Sequence, residues 1–198
     1  MATFRFTLPE RGTKREVSVE VSDDLLQEDE EHISTYSQRS TWWGRLPQWL
    51  RPADLDRRWD WTLVEARRAK AELKVSIWVM RPIGALAPEL PTLGVLILQE
   101  AGAKDLSGNP LVLVNLIGIH PKCRSMGFWL LRRPGKVRGV AHALLKFASE
   151  RAKSKGSIGG IGLDAVGRST SLYESLGLER KREGDKGDGT KYYEGFVK

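Results

Sequence analysis

The chain has 198 residues, of which 40% are hydrophobic, and a formal net charge of +7 at pH 7. These values predict one globular domain with one sizeable core, and no apolar run is long enough for a transmembrane helix. Cys123 is the single cysteine, which excludes an internal disulfide and favours a reducing, cytoplasmic location. The histidines stand alone at 32, 120 and 142, so we expect no metal site.

The chain opens with a hairpin and an acidic segment. Apolar residues alternate on either side of the turn-forming stretch 9–12, which predicts strands over 3–8 and 15–21. Residues 23–31 then carry an excess of acids. We interpret this segment as a helix start or a solvated loop. The functional alternative is an acidic rim that holds a cationic amine.

Residues 40–61 contain five of the seven tryptophans in the chain. Such a density favours burial, either as a plug of the core or as the wall of an acceptor pocket, and both remain open. Residues 62–74 have helical spacing and lead into an apolar strand over 75–80.

Two further apolar runs, 94–101 and 111–119, follow a proline-rich loop over 81–93. Nearly continuous apolar strands are typical of a sheet that is covered on both faces. The runs therefore predict a mixed sheet flanked by helices.

A glycine-containing turn opens a helix in the stretch from Lys136 to Gly156. Helical apolar spacing begins at Val140, directly after Gly139. The first amide N–H groups of a helix lack intrahelical acceptors, and the helix dipole adds a partial positive charge, so a phosphate is a suitable ligand here. Four cations stand beside the turn: Arg132, Arg133, Lys136 and Arg138. They suit a polyanionic ligand.

A short strand over 158–165 and a second helix follow. Ser171 is the predicted N-cap of this helix, with Glu174 three residues later, and Gly177 ends it. The polar stretch 179–191 is interpreted as a hairpin loop before the last strand.

This order of elements resembles the GNAT superfamily of N-acetyltransferases over residues 111–198. Lys136, Gly139 and Ala141 match the family's cofactor turn: Gln or Arg, two residues, Gly, one residue, then Gly or Ala. Leu172 to Gly177 match the first six positions of its Leu-Tyr-x-x-Leu-Gly-Phe pattern, and Leu178 replaces the usual Phe. The resemblance implies an α/β fold with a mixed, splayed central sheet flanked by helices. We expect a single domain over 1–198, in which 1–74 is a divergent N-terminal part.

The chain departs from the family around its turn. Lys136 replaces the usual Gln or Arg, and 122–135 is interpreted as an insertion before the turn. A competing alignment uses three residues of this insertion region: Pro121, Arg124 and Gly127. The later alignment is preferred, because only it leaves a helix of ordinary length before Gly156.

The resemblance implies acetyl-CoA as cosubstrate, in contact with the strand residues Ile117 and Ile119 and with the turn. The turn residues are Lys136, Val137, Arg138, Gly139, Val140 and Ala141. The implied reaction is direct attack of a primary amine on the thioester. Tyr173 is expected to protonate the departing thiolate, and a backbone N–H of Ile119 or His120 to stabilise the carbonyl oxygen.

The residues leave the general base and the acceptor open. Glu100, Glu174 and His120 are nominated as base, in that order. The acceptor is a small molecule or a protein. Two alternatives are kept: the basic surface suits acetylation of an aminoacyl-tRNA, and the imperfect turn suits an inactive module that only binds coenzyme A.

Overall fold

A computed structural model describes residues 3–10, 14–23, 25–40, 66, 75–84, 90–120, 123, 137–165, 169–183 and 190–198. The strands are β1 (Thr3–Pro9), β2 (Glu16–Ser22), β3 (Val75–Pro82), β4 (Gly94–Gln99), β5 (Val112–Ile119), β6 (Ile161–Ala165), β7 (Glu179–Glu183) and β8 (Lys191–Gly195). The helices in these ranges are α1 (Gln27–Ser40), α2 (Val140–Ser154) and α3 (Thr170–Ser175). None of them has the length and apolar character needed to cross a membrane.

The strands form one sheet in the order β1-β2-β3-β4-β5-β6-β8-β7. All neighbouring strands are antiparallel except β5 and β6, which are parallel. A parallel pair needs a crossover connection, and α2 lies in that connection. The predicted mixed α/β fold is confirmed.

Each face of the sheet packs against helices, as the apolar strands predicted. On one side, which we call the α2 face, strand side chains pack with α2 and α3 around Leu144, Phe147 and Leu176. On the other, the α1 face, Ile33 of α1 packs with side chains of β3 and β4 such as Val79 and Ile97. Each fully buried side chain of this size contributes about 2 kcal/mol of hydrophobic stabilisation.

The C-terminal elements confirm part of the prediction and correct part of it. Gly156, at φ +70°, follows the end of α2 as expected, and Gly177, at φ +82°, follows α3. The residue before α3 is Ser169, not Ser171, and its side chain makes no capping hydrogen bond.

The polar stretch 179–191 is not entirely a loop, because Glu179–Glu183 form β7. This strand lies at the edge of the sheet and pairs only with β8. An edge strand tolerates charged side chains, so backbone pairing determines its structure despite the absence of an apolar pattern.

The tryptophan-rich segment 40–61, the helix expected over 62–74 and the insertion 122–135 lie outside the described residues, apart from three positions. Ser40 ends α1, Ala66 is buried in the core of the α1 face, and Cys123 packs against the core of the α2 face.

Candidate functional site

The parallel strands β5 and β6 separate part-way along their length. They pair at three positions, from Val112 with Ile161 to Val114 with Leu163. Beyond this point β5 continues to Ile119 and β6 to Ala165 without pairing to each other. The sheet therefore has a split between these two strands, which opens towards their C-terminal ends.

A β-bulge in β5 explains why the split begins where it does. Leu98 of β4 pairs with Val114, whereas the preceding Ile97 pairs with Leu116, so Asn115 is an extra residue in β5. A bulge bends its strand and increases the local twist. Since Asn115 directly follows the last residue that pairs with β6, the bend turns the rest of β5 away from β6.

Past the bulge, the backbone of β5 directs hydrogen-bonding groups into the split. The N–H of His120 donates to the carbonyl oxygen of Leu93 at 2.9 Å, on the β4 side. Successive N–H groups of a strand point to opposite edges, so those of Ile119 and Ile117 point to the β6 side. The N–H of His120 thus belongs to the β4–β5 ladder, whereas that of Ile119 points to the β6 side.

The glycine turn lies at the same end of the sheet as the open side of the split. Val137 forms a bridge with Glu10, and the N–H of Arg138 donates to the carbonyl oxygen of Pro9 at 3.1 Å. A Cβ placed on Gly94 would lie 3.2 Å from Val140 and 3.0 Å from the carbonyl oxygen of Gly118. Gly94 pairs with Ile119, so the start of α2 and the end of β5 meet at this point.

Gly139 adopts the left-handed conformation, with φ +80°, immediately before α2. Such a φ favours glycine. As the N-cap residue, Gly139 has no side chain with which to cap the helix, and the first turn of α2 holds no acidic residue. The structure thus brings Val137–Ala141 together with Ile117 and Ile119, while Lys136 lies outside the described residues.

Tyr173 lies on α3, which follows the C-terminal end of β6. Its partly buried ring packs against the core of the α2 face, with its centroid 5.8 Å from that of Tyr193. The hydroxyl of Tyr193 donates to Glu174 at 2.8 Å. Burial, together with this hydrogen bond, raises the pKa of Tyr193. Glu174, the second nominated base, is therefore already engaged by a neighbouring tyrosine.

Glu100 lies at the opposite end of the sheet. Gly94 pairs with Ile119 at the open side of the split, and Glu100 lies six residues further along the chain, or about 20 Å away. Its carboxylate accepts hydrogen bonds from Arg151 at 3.0 and 3.2 Å. Burial alone would raise the pKa of Glu100, but hydrogen bonds from Arg151 and Ser76 outweigh it and lower the pKa. The structure does not bring Glu100 to the split, so we do not propose it as the base.

Two polar features near the split were missed by sequence reasoning. His32 of α1 stacks on His120, with ring centroids 5.2 Å apart. Beside them, the buried Asp29 forms an ion pair with Arg81 and accepts a hydrogen bond from Thr92 at 2.7 Å. Asp29 and His32 are three residues apart on α1 and so share one helix face, but only the tertiary structure reveals their partners.

The described residues contain no group of three or more side chains able to hold a metal ion. The described polar groups around the split are backbone amides, a helix start and a histidine pair. These groups suit a ligand with phosphates and an extended polar chain.

Comparison with known proteins gives similarity at the level of structure. No protein-family model and no curated protein matches the sequence. A GNAT-family protein from Desulfovibrio desulfuricans matches with a TM-score of 0.54 and 13% identity over 91% of this chain and 99% of that one. Ribosomal-protein-S5-alanine acetyltransferase from Vibrio fischeri matches with a TM-score of 0.55 and 10% identity over 100% of this chain and 97% of that one.

A third structure is the PaiA N-acetyltransferase from Thermoplasma acidophilum in complex with coenzyme A. It has a TM-score of 0.50 and 16% identity over 90% of this chain and 99% of that one. At such identities the likeness is one of fold. The chain has the fold of the GNAT acetyltransferases.

Proposed function

We propose that this chain, which has the GNAT fold, is an N-acetyltransferase that transfers the acetyl group of acetyl-CoA to a primary amine. One observation carries the proposal. The β5–β6 split and the start of α2, which follows Gly139, lie at the same end of the sheet, so an extended chain with phosphates at one end fits both. The coenzyme A complex of the similar PaiA structure supports the choice of cosubstrate.

The residues at the split fit acetyl-CoA. The backbone of Ile117 and Ile119 would bind the pantetheine arm, as a neighbouring strand does in a sheet. The pyrophosphate would lie at the first turn of α2, where Gly139 leaves space and Arg138 is exposed. Acetyl-CoA supplies the activated thioester.

We assign proton transfer at the leaving group to Tyr173. Its helix follows β6 at the open side of the split, and a phenol is able to protonate a departing thiolate. We assign stabilisation of the carbonyl oxygen to the N–H of Ile119. One preorganised donor of this kind is commonly worth about 3 kcal/mol.

Among the three nominated bases, His120 is the residue at the open side of the split. Its side chain is fully buried, whereas its stacking partner His32 is partly exposed. Because the Nε2 atoms of both histidines are buried, the amine proton would reach the pair through a bound water. The pair of His32 and His120 lies on the α1 face of the sheet, opposite α2.

The test begins with binding and then measures turnover. Native mass spectrometry and calorimetry with acetyl-CoA should show one coenzyme per chain, and a thioester-cleavage assay with a panel of primary amines should show turnover. Lack of coenzyme binding would contradict the proposal. Binding without turnover, on a panel that includes aminoacyl-tRNA, would instead identify a coenzyme A-binding module.

A further inference from the structure

Two exposed polar residues stand where β5 and β6 part. The last paired residues are Val114 and Leu163, and the next residues along the two strands are Asn115 and Asp164. Both have exposed side chains, in strands whose other residues are buried or partly buried. The inner end of the split is therefore flanked by an amide and a carboxylate.

Both side chains belong to the α1 face. In β6, Ile161, Leu163 and Ala165 pack in the core of the α2 face, so the alternation of side chains directs Asp164 to the other side. In β5, the bulge places Asn115 and Leu116 opposite Ile97, whose side chain packs in the core of the α1 face. The pair thus lies across the sheet from α2 and its glycine turn.

The two faces also differ in charge. The exposed charged residue of the described turn is Arg138, on the side proposed for the coenzyme phosphates. On the α1 face, Glu28 and Glu31 of α1 are exposed, and the cation Arg81 is neutralised by Asp29. Among the described residues of this face, Asp164, Glu28 and Glu31 are exposed acids, which suit a cationic acceptor.

We propose that Asn115 and Asp164 form the inner wall of the acceptor site, and that the acceptor is an amine with a second positively charged group, which Asp164 binds. The inference rests on the proposed acetyltransferase function. The second group is required because a carboxylate paired with the reacting ammonium would raise the pKa of that ammonium and oppose its deprotonation. Asp164 is thus a specificity determinant, with no part in the chemical step.

The experiment compares two acceptors of equal length, 1,5-diaminopentane and pentylamine, with Asp164→Asn and the wild-type protein. The diamine should have the lower KM in the wild type. Asp164→Asn should raise the KM for the diamine roughly tenfold and leave that for pentylamine and the Kd for acetyl-CoA unchanged. Asn115→Asp, which adds a carboxylate at the same place, should lower the KM for the diamine further.

Glu150→Gln is the matched control, because Glu150 is an exposed carboxylate on α2, on the opposite face, paired with Lys153. It should leave the ratio of the two KM values as in the wild type. Equal KM values for the diamine and the monoamine in the wild type would overturn the proposal, provided that acetyl-CoA binding and turnover persist. A ratio of the two KM values that Asp164→Asn leaves unchanged would overturn it in the same way. Loss of coenzyme binding in the wild type would instead contradict the acetyltransferase function itself.

Discussion

The two ends of α2 differ in how they meet the sheet. At the C-terminal end, Arg151 and Lys155 bind the carboxylate of Glu100, at 3.0 and 3.3 Å. At the N-terminal end, the helix starts after Gly139, at the end of the sheet where the ladder of β5 and β6 has ended. The cations of the first end are thus paired within the protein, while the second end begins at a glycine that has no side chain to cap the helix. A helix anchored at one end is able to present its other end to a ligand.

The anchored end is built from several linked contacts. Trp78 donates from Nε1 to the hydroxyl of Ser76 at 2.9 Å, and that hydroxyl donates to Glu100 at 3.0 Å. The guanidinium of Arg151 lies 5.1 Å from the centroid of the Trp78 ring. Cations in the last turn of a helix also interact favourably with its dipole. These contacts hold α2 on the sheet independently of any ligand.

The largest effect is expected at the open side, from Tyr173→Phe. The variant keeps the ring and its packing against Tyr193, so stability and acetyl-CoA affinity should persist. If the hydroxyl protonates the thiolate, kcat should fall on the order of a hundredfold. Turnover at saturating acetyl-CoA, with the best amine of the panel, checks this. Wild-type kcat in the folded variant would leave a bound water as the proton donor.

At the anchored end, Glu100→Gln should act on stability. The substitution removes the charge that Arg151 and Lys155 share, and we expect the free energy of unfolding to fall by about 2 kcal/mol. Urea denaturation measures this, with Glu150→Gln as the control, because the exposed pair that Glu150 forms with Lys153 is worth at most about 0.5 kcal/mol. A large loss of kcat in folded Glu100→Gln, with stability unchanged, would instead indicate that Glu100 acts in catalysis.

Gly139→Glu at the start of α2 is compared with Gly102→Glu in the connection between β4 and β5. The two glycines have nearly the same φ, +80° and +79°, and a Cβ added at either would have no neighbouring atom closer than 3.8 Å. Backbone strain and charge change are therefore matched. Only Gly139→Glu should weaken acetyl-CoA binding, by at least tenfold, or roughly 1.4 kcal/mol. Equal calorimetric affinities for the two variants would exclude this turn as the phosphate site.

The smallest effect is expected on stability when the pH is lowered. The pKa of Glu100 in the folded protein lies below its ordinary value of 4.5, so its ionised form stabilises the fold above that pH. This stabilisation is lost as the pH falls below 4.5 and the carboxylate becomes protonated. The difference in unfolding free energy between the wild type and Glu100→Gln should therefore shrink in acid. A constant difference from neutral pH to acid would show that the charge of Glu100 does not anchor α2.

Local patterns were sufficient for the elements that carry the proposed cofactor site. Gly139 followed by helical spacing predicted the start of α2, and Gly156 predicted its end. The apolar runs 94–101 and 111–119 predicted β4 and β5 to within two residues at each end. These features depend on neighbours in the sequence: the conformational freedom of glycine, the helical period and the strand period.

The partners of polar side chains were decided only by the tertiary structure. Glu100 looked like a free carboxylate at a strand end, but Arg151, 51 residues later, binds it. His32 and His120 form a stack because α1 packs on the end of β5. Asn115 is a bulge residue only in relation to the register of β4. A sequence pattern records periodicity along one element, whereas charge pairing, register and the opening of a sheet depend on which elements lie side by side.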